Sequence, residues 1–288
     1  MFWHYFFLAV SVAANVAGGS VNNRFSKDEG ITAADKYRFN IASSAAALLI
    51  AAIFAKSWSI SPYTLVMGIL FGILNGGSFF ARTFALSEGS LALTTLIGSC
   101  GMLIPTAAGV LFWGEGIGLL QIVGIVVMIG ALALVVGVKL DGKLSVKWLI
   151  YNAVQFLCVG FISILQKLQQ GSDYAHESGG FLMIAFIVSA LINGVMLAVE
   201  CRKSEKKPPH LRKCAWGFLT GCGCGINHVF NLALAGMLPA VIFFPIANGG
   251  GILLSGLAGW LLFGEKCTGR QWLGFLLGTA SILMIGLG

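Results

Sequence analysis

Few side chains in this sequence could do chemistry, and most of them lie inside apolar runs. His228 is the only acid, base or imidazole deep within an apolar run beyond the first. Ionisable groups at membrane depth are expensive and point to function by default. His228 sits in Asn227-His228-Val-Phe-Asn231, where spacings of three and four gather polar groups on one helix side. Three roles are open to it: a hydrogen-bonded packing residue, a contact to a solute, or a coupling proton carrier, since imidazole titrates near neutral pH. Asn75, Phe79 and Arg82 share a face of an earlier run. Arg82 can snorkel to the headgroups, clamp an anion or carboxylate, or gate an inner mouth. Asn15 shares a face with Ser11 and Asn22, and Asn152, Gln155, Ser163 and Gln166 share another. Such stripes suit a hydrated cavity or hydrogen bonds between helices. Asn248, beside Gly249-Gly250-Gly251, offers an amide to a solute. Cys222-Gly-Cys224 with His228 has the spacing of no closed zinc site and lacks a fourth ligand. No metal or cofactor is expected.

Glu115 and Glu265 stand in a motif written twice. Gly109-Val-Leu-Phe-Trp-Gly-Glu115, with Gln121 and Gly124 after it, returns 150 residues later as Gly259-Trp-Leu-Leu-Phe-Gly-Glu265, with Gln271 and Gly274. Each Glu follows a helix end and precedes the next helix. A carboxylate near a helix N-terminus accepts from free N–H groups and meets the positive dipole end. Both are therefore expected to be structural elbows, with ion coupling as the alternative. Gly68, Gly72 and Gly76 likewise return as Gly217, Gly221 and Gly225, and the expected use of these smooth strips is close helix packing. In that register Phe79 aligns with His228 and Arg82 with Asn231.

These residues need elements to hold them, and composition says which. The chain is 57% hydrophobic and 10% charged, against about 25% charged in soluble domains. Asp, Glu, Lys and Arg are absent from 1–23, 39–55, 57–81, 89–114, 116–138, 148–166, 178–199, 214–264 and 271–288. Runs of about 17–25 such residues each suit one bilayer crossing, and the long run 214–264 suits two, divided at Pro239. The expectation is an all-α membrane protein of ten transmembrane helices, near 3–22, 38–56, 62–84, 90–113, 117–138, 147–167, 179–200, 213–235, 239–263 and 269–288. The first run lacks the basic start and cleavage site of a signal peptide and is kept as a helix. Pro105 and Pro245, with Ser99-Cys100-Gly101 and the glycine triplet, mark expected unwound stretches near mid-membrane.

Five helices separate equivalent points of the repeat. Five is odd, so the second copy enters the membrane from the other face. The expected organisation is two inverted-topology five-helix repeats, 1–140 and 141–288, in one membrane unit. Sixteen of the eighteen Lys and Arg residues fall on one side; only Lys56 and Lys167 fall on the other. The positive-inside rule then puts the basic loops in the cytoplasm and both termini outside a cell (inner) membrane. That basic face reads as a contact to anionic lipid rather than nucleic acid. The seven cysteines sit in helices or near the basic side, as reduced thiols do.

Ten short-looped helices with a Gly-Glu elbow before the last helix of each half resemble the drug/metabolite transporter superfamily, and its EamA-type branch in particular. The resemblance covers essentially the whole chain. It implies secondary transport through a central cavity between the repeats, lined mainly by the first, third, fourth, sixth, eighth and ninth helices, with the fifth and tenth behind. On that reading Asn15, Asn75, Phe79, Arg82, Asn227, His228, Asn231 and Asn248 contact the solute, and His228 is the candidate for coupling to a proton or ion. Small four-helix relatives use a Glu in their first helix; this first helix has no acid, so that mechanism does not carry over. With no deep acid to pair a cation, the expected solute is neutral, zwitterionic or weakly anionic, though aromatic faces leave room for a quaternary ammonium. A flippase for a lipid-linked substrate and a non-transporting sensor or scaffold are the alternatives. No clustered acids, Ser/His pair or metal set supports an enzyme. The partners expected are a small-molecule solute and the lipid bilayer; oligomeric state is left open.

Overall fold

The computed structural model describes residues 2–26, 28, 30–88, 91–136, 145–203, 210–263 and 268–288. Glu265 of the second elbow lies outside these residues. Among them every regular element is helical: α1 (Phe2–Ser26), α2 (Ala33–Phe54), α3 (Pro62–Glu88), α4 (Leu91–Cys100), α5 (Leu103–Phe112), α6 (Leu119–Val136), α7 (Val146–Gln170), α8 (Ser178–Lys203), α9 (Leu211–Cys214), α10 (Gly217–Met237), α11 (Ala240–Phe263) and α12 (Gly269–Leu287). A short 3₁₀ turn, Ala175–Glu177, leads into α8. Among the described residues six spans are long and apolar enough to cross a membrane, and four shorter apolar stretches join them. Together they account for the ten expected crossings, with α4 and α5 as the fourth, and α9 and α10 as the eighth.

Helix starts follow from local chemistry. At α2 the Thr32 hydroxyl accepts from Asp35 N while the Asp35 carboxylate accepts from Thr32 N. Thr268 and Gln271 make the same reciprocal box at α12. At α6 the Gln121 carbonyl accepts from Gly118 N. The glutamines of the repeated motif thus satisfy the starts of the helices that follow them.

The two expected weak points behave differently. The fourth crossing does break, at Gly101-Met102, where Gly101 N, Met102 N and Ile104 N turn to carbonyls three residues back. Pro105 cannot donate to Gly101 O, and a proline is tolerated in the first turn of α5. A side chain at Gly101 would crowd Phe156 O and Val159 of α7 at 3.0–3.1 Å, so the broken backbone lies directly on its neighbour. The ninth crossing does not unwind. α11 runs unbroken through Pro245 and the glycine triplet. Pro245 falls in its second turn, and Gly249 is pressed against Met128 of α6. Packing there overrides the low helix propensity of glycine.

Helix pairing recurs around the bundle. α1 packs on α10 and α7 on α3; α10 packs on α2 and α3 on α8; α6 packs on α12. The glycine strips set two of these seams. Gly68 and Gly72 lie against Phe181, Ile184, Ala185 and Val188 of α8, while Gly217 and Gly221 lie against the Phe39 and Ser43 carbonyls of α2. Both strips therefore serve packing within the chain. Between α6 and α12, Gly124 meets Ile285 and Gly274 meets Val135, a pair of contacts that repeats at an offset of 150 residues. The cores on either side of the molecule form around Phe243, Met128 and Leu132 in one cluster and Phe71, Phe181 and Phe186 in another.

At Gly221 the obstacle is backbone, which cannot move aside as a side chain can. Gly221→Leu is expected to destabilise by about 3 kcal/mol, seen as a lower unfolding temperature in detergent. Gly130, with nothing within 4 Å of a built Cβ, should accept Ala with no loss.

Candidate functional site

A cavity of about 190 Å³ opens between α1, α3, α7, α10 and α11. All eight residues expected to contact a solute line it: Asn15, Asn75, Phe79, Arg82, Asn227, His228, Asn231 and Asn248. They come from four helices, and the aligned pairs Phe79/His228 and Arg82/Asn231 face one space. Asn22, Gln155, Ser163 and Gln166 of the polar stripes also line it. Reading the sequence missed Gly18, Gly19, Ser78, Thr220 and Phe244. For Gly18, Gly19, Ser78 and Phe244 the one signal is position, a turn or so from an asparagine on the same helix; Thr220 lies two turns from Asn227.

Two stripe residues turn elsewhere. Ser11 is fully buried; it donates to Asn231 Oδ1 at 2.6 Å and accepts from Asn227 Nδ2 at 2.9 Å. This network fastens α1 to α10 at mid-depth and holds both asparagines at the cavity wall. Asn152 spends its amide nitrogen on Trp148 O at 2.8 Å, within its own helix.

His228 is boxed by aromatic rings. Phe71 meets it edge-on at 5.3 Å and Phe186 at 5.7 Å between centroids. The Gln166 amide nitrogen lies 3.4 Å from Nδ1. Arg82 lines the cavity six residues before the end of α3. Among the described residues it has no ion-pair partner. Among the described residues no acid lines the cavity.

The acids sit at helix ends instead. Glu115 does meet a helix N-terminus, but not that of α6, which follows it in sequence. Its Oε2 accepts from Val241 N at the start of α11, 3.1 Å away. Its Oε1 pairs with Lys167 Nζ at 3.1 Å, with both side chains largely shielded. Lys167 also donates to Leu238 O at 2.9 Å. Gly109 leaves room for the carboxylate: a Cβ there would stand 2.6 Å from Glu115 Oε2. Gly114, with φ of +62°, makes the turn that brings Glu115 back. The elbow thus joins α5, α7 and α11 at the face opposite the basic loops.

Two more acids work in the same way, and sequence reading passed over both. Asp35 accepts from His210 N, ahead of α9 and α10, and contacts His210 Nδ1 at 3.0 Å. Glu177, ahead of α8, accepts from Ser61 N and Oγ, ahead of α3, at 2.9 and 2.7 Å. Their partners lie far along the chain, so no local spacing announces them.

Comparison with known proteins places this geometry. Residues 2–137 match the EamA-like transporter family. The first half of this chain is EamA-like. The match bears out the resemblance to the drug/metabolite transporter superfamily. Members of the EamA-like family are membrane transporters of small solutes, and the chain is a multi-pass membrane protein. No curated protein matches it. A solved structure, described as a crystal structure of a protein, superposes with a TM-score of 0.70 over 98% of this chain and 98% of its own, at 12% identity. That likeness carries the fold and nothing further.

Glu115 serves a backbone donor and a cation at once. Glu115→Gln keeps an acceptor for Val241 N and loses the charge pair; Glu115→Ala loses both. The alanine variant should unfold more readily by about 1–3 kcal/mol, with the glutamine variant between it and the parent, as read by thermal unfolding in detergent.

Proposed function

We propose that this protein is a secondary transporter, not an enzyme, that moves a small polar metabolite by alternating access. The cavity lies between two inverted five-helix halves, 1–140 and 141–288. Three sets of paired features favour that organisation. α1 on α10 matches α7 on α3, and α10 on α2 matches α3 on α8. Gly124 on Ile285 matches Gly274 on Val135. Asp35 at the start of α2 accepts from the N–H ahead of α10's crossing, as Glu177 at the start of α8 accepts from the N–H ahead of α3. Exchange of two such halves can open one site to either face in turn.

The observation that carries the reading is how the cavity is closed. Its wall includes Asn22 and Arg82, within about one or two turns of the C-terminal ends of α1 and α3, which lie on the side of the basic loops. Toward the other face, the Glu115–Lys167–Val241 tie spans α5, α7 and α11 one residue beyond Gln166, itself a wall residue. A cavity reaching one face, with an exchangeable polar closure at the other, suits one limb of a transport cycle. With the basic loops in the cytoplasm of a cell membrane, this limb faces inward. The amides of Asn15, Asn227, Asn231 and Asn248 give the solute hydrogen-bond partners, and His228 is the candidate carrier of a coupling proton.

Uptake of a panel of polar metabolites into proteoliposomes tests the function directly, and at least one should accumulate. A bis-methanethiosulfonate bridging Glu115→Cys to Lys167→Cys should then stop that uptake by at least about tenfold, reversibly with reductant. The two single-cysteine variants treated alike should continue. Undiminished uptake with the bridge in place would sink alternating closure at this tie.

A further inference from the structure

We infer that the solute of this cavity is a small hydroxylated carboxylate, its carboxylate held by Arg82 and a hydroxyl held by the Gln155 side chain. This rests on the transporter reading above and names its substrate class.

Among the described residues Arg82 is the single charged side chain in the cavity wall, and no acid answers it there. Guanidinium does not shed its proton under these conditions. An unpaired cation at this depth is expensive, so the wall as built favours an arriving anion. The planar fork of an arginine matches a carboxylate with two parallel hydrogen bonds. One arginine neutralises one charge, so a monoanion fits better than a phosphate dianion. The same absence of acids argues against an amino acid, whose ammonium would lose its water and gain no counter-charge.

Gln155 supplies the second observation. It lines the cavity, is 5% exposed, and its Oε1 has no hydrogen-bond partner. A buried acceptor left unpaired costs roughly 1–3 kcal/mol. The oxygen is shielded in this conformation, with the amide nitrogen against Gly98. The terminal amide torsion is broad and soft, and in the proposed complex the amide turns so that its oxygen meets the solute. A solute hydroxyl then satisfies it without bringing a charge. Arg82 and Gln155 stand on neighbouring antiparallel helices. Tyr63 with Leu168, and Thr64 with Gln169, set the register of α3 on α7, which puts Gln155 about one and a half turns deeper than Arg82, roughly 7–8 Å along the axis. That separation lets one small molecule reach both. The cavity, about 190 Å³, slightly exceeds the roughly 150 Å³ that takes benzene in an engineered protein core, so the solute is of few carbons.

Purified protein is titrated with sodium lactate and sodium glycerate, with binding read as a rise in unfolding temperature. The comparisons are propionate, which lacks the hydroxyl, glycerol, which lacks the carboxylate, and alanine, which carries an ammonium in place of the hydroxyl. Lactate and glycerate should act at concentrations at least about tenfold lower than all three. Gln155→Leu should erase the preference for lactate over propionate and leave propionate where it was. Arg82→Gln should erase the preference for lactate over glycerol, whereas Arg82→Lys, which keeps the charge, should retain part of it; unliganded melts of each variant show that it folds. Equal binding of lactate and propionate by the parent protein, tighter binding of alanine, or undiminished lactate binding by Arg82→Gln would each overturn the inference. Lactate bound through Arg82 with no solute carried into proteoliposomes would keep this site and remove the transporter reading. Uptake of another solute that ignores Arg82→Gln would do the reverse.

Discussion

A helix that ends inside or at the edge of a bilayer leaves backbone N–H groups that water cannot reliably serve. This chain answers that constraint with carboxylates lent from elsewhere. Asp35 serves His210 N, Glu177 serves Ser61 N and Glu115 serves Val241 N. The partners are 116 to 175 residues apart. Each bond therefore caps a helix and fixes how two distant helices meet. Because the acids are committed at the helix ends, the cavity wall keeps amides, hydroxyls, one imidazole and one guanidinium. The chemistry of the site follows from where the acids went.

Much of the fold was legible because the bilayer imposes a strict reading frame. Charge-free runs had to be crossings, and all ten appear. The glycine strips were legible as packing because a period of four puts Gly68, Gly72 and Gly76 on one face, with no side chain to hold a neighbour off. The elbow glutamate was legible as a capping group, but the helix it serves was not. Gly114 turns Glu115 back across the bundle toward α11, and a fold-level contact of that kind has no local signature. Asp35 and Glu177 were overlooked for the same reason. The weak points show the opposite limit. Gly101 and Pro105 break their helix, yet Pro245 and three successive glycines do not. Sequence reports the propensity to unwind; contact with α6 decides the outcome for α11.

The polar stripes divide along a similar line. Periodicity told which face of each helix was polar. It could not tell a residue that faces open space from one that faces a partner. Ser11 and Asn15 are one turn apart on α1, yet Ser11 is consumed by Asn227 and Asn231 while Asn15 meets the cavity. Asn152 and Gln155 differ by three residues on α7 and each keeps an unpaired oxygen, yet Asn152 spends its nitrogen on Trp148 O while Gln155 lines the cavity. What separates them is whether a carbonyl or hydroxyl from another turn lies within about 3 Å, and only the folded packing supplies that. The eight site residues came together because helices carrying polar faces in an apolar bundle bury those faces against one another or around water.

The two kinds of seam in this molecule respond to motion in opposite ways. Where glycine lets backbones touch, as for α3 on α8 and α10 on α2, separation exposes surface that nothing in lipid can match, and many small dispersion contacts are lost together. Where α5, α7 and α11 meet, the contact is an ion pair and two hydrogen bonds to backbone, three discrete polar contacts that can be exchanged for others as the helix ends part. The α4–α5 break adds a turn whose backbone is already detached from regular helix. In the proposed cycle the glycine seams therefore travel as rigid bodies, and the change of access falls at the Glu115–Lys167 tie. The same glutamate that fixes the start of α11 then sets how far α11 must let go before the cavity can open to the other face.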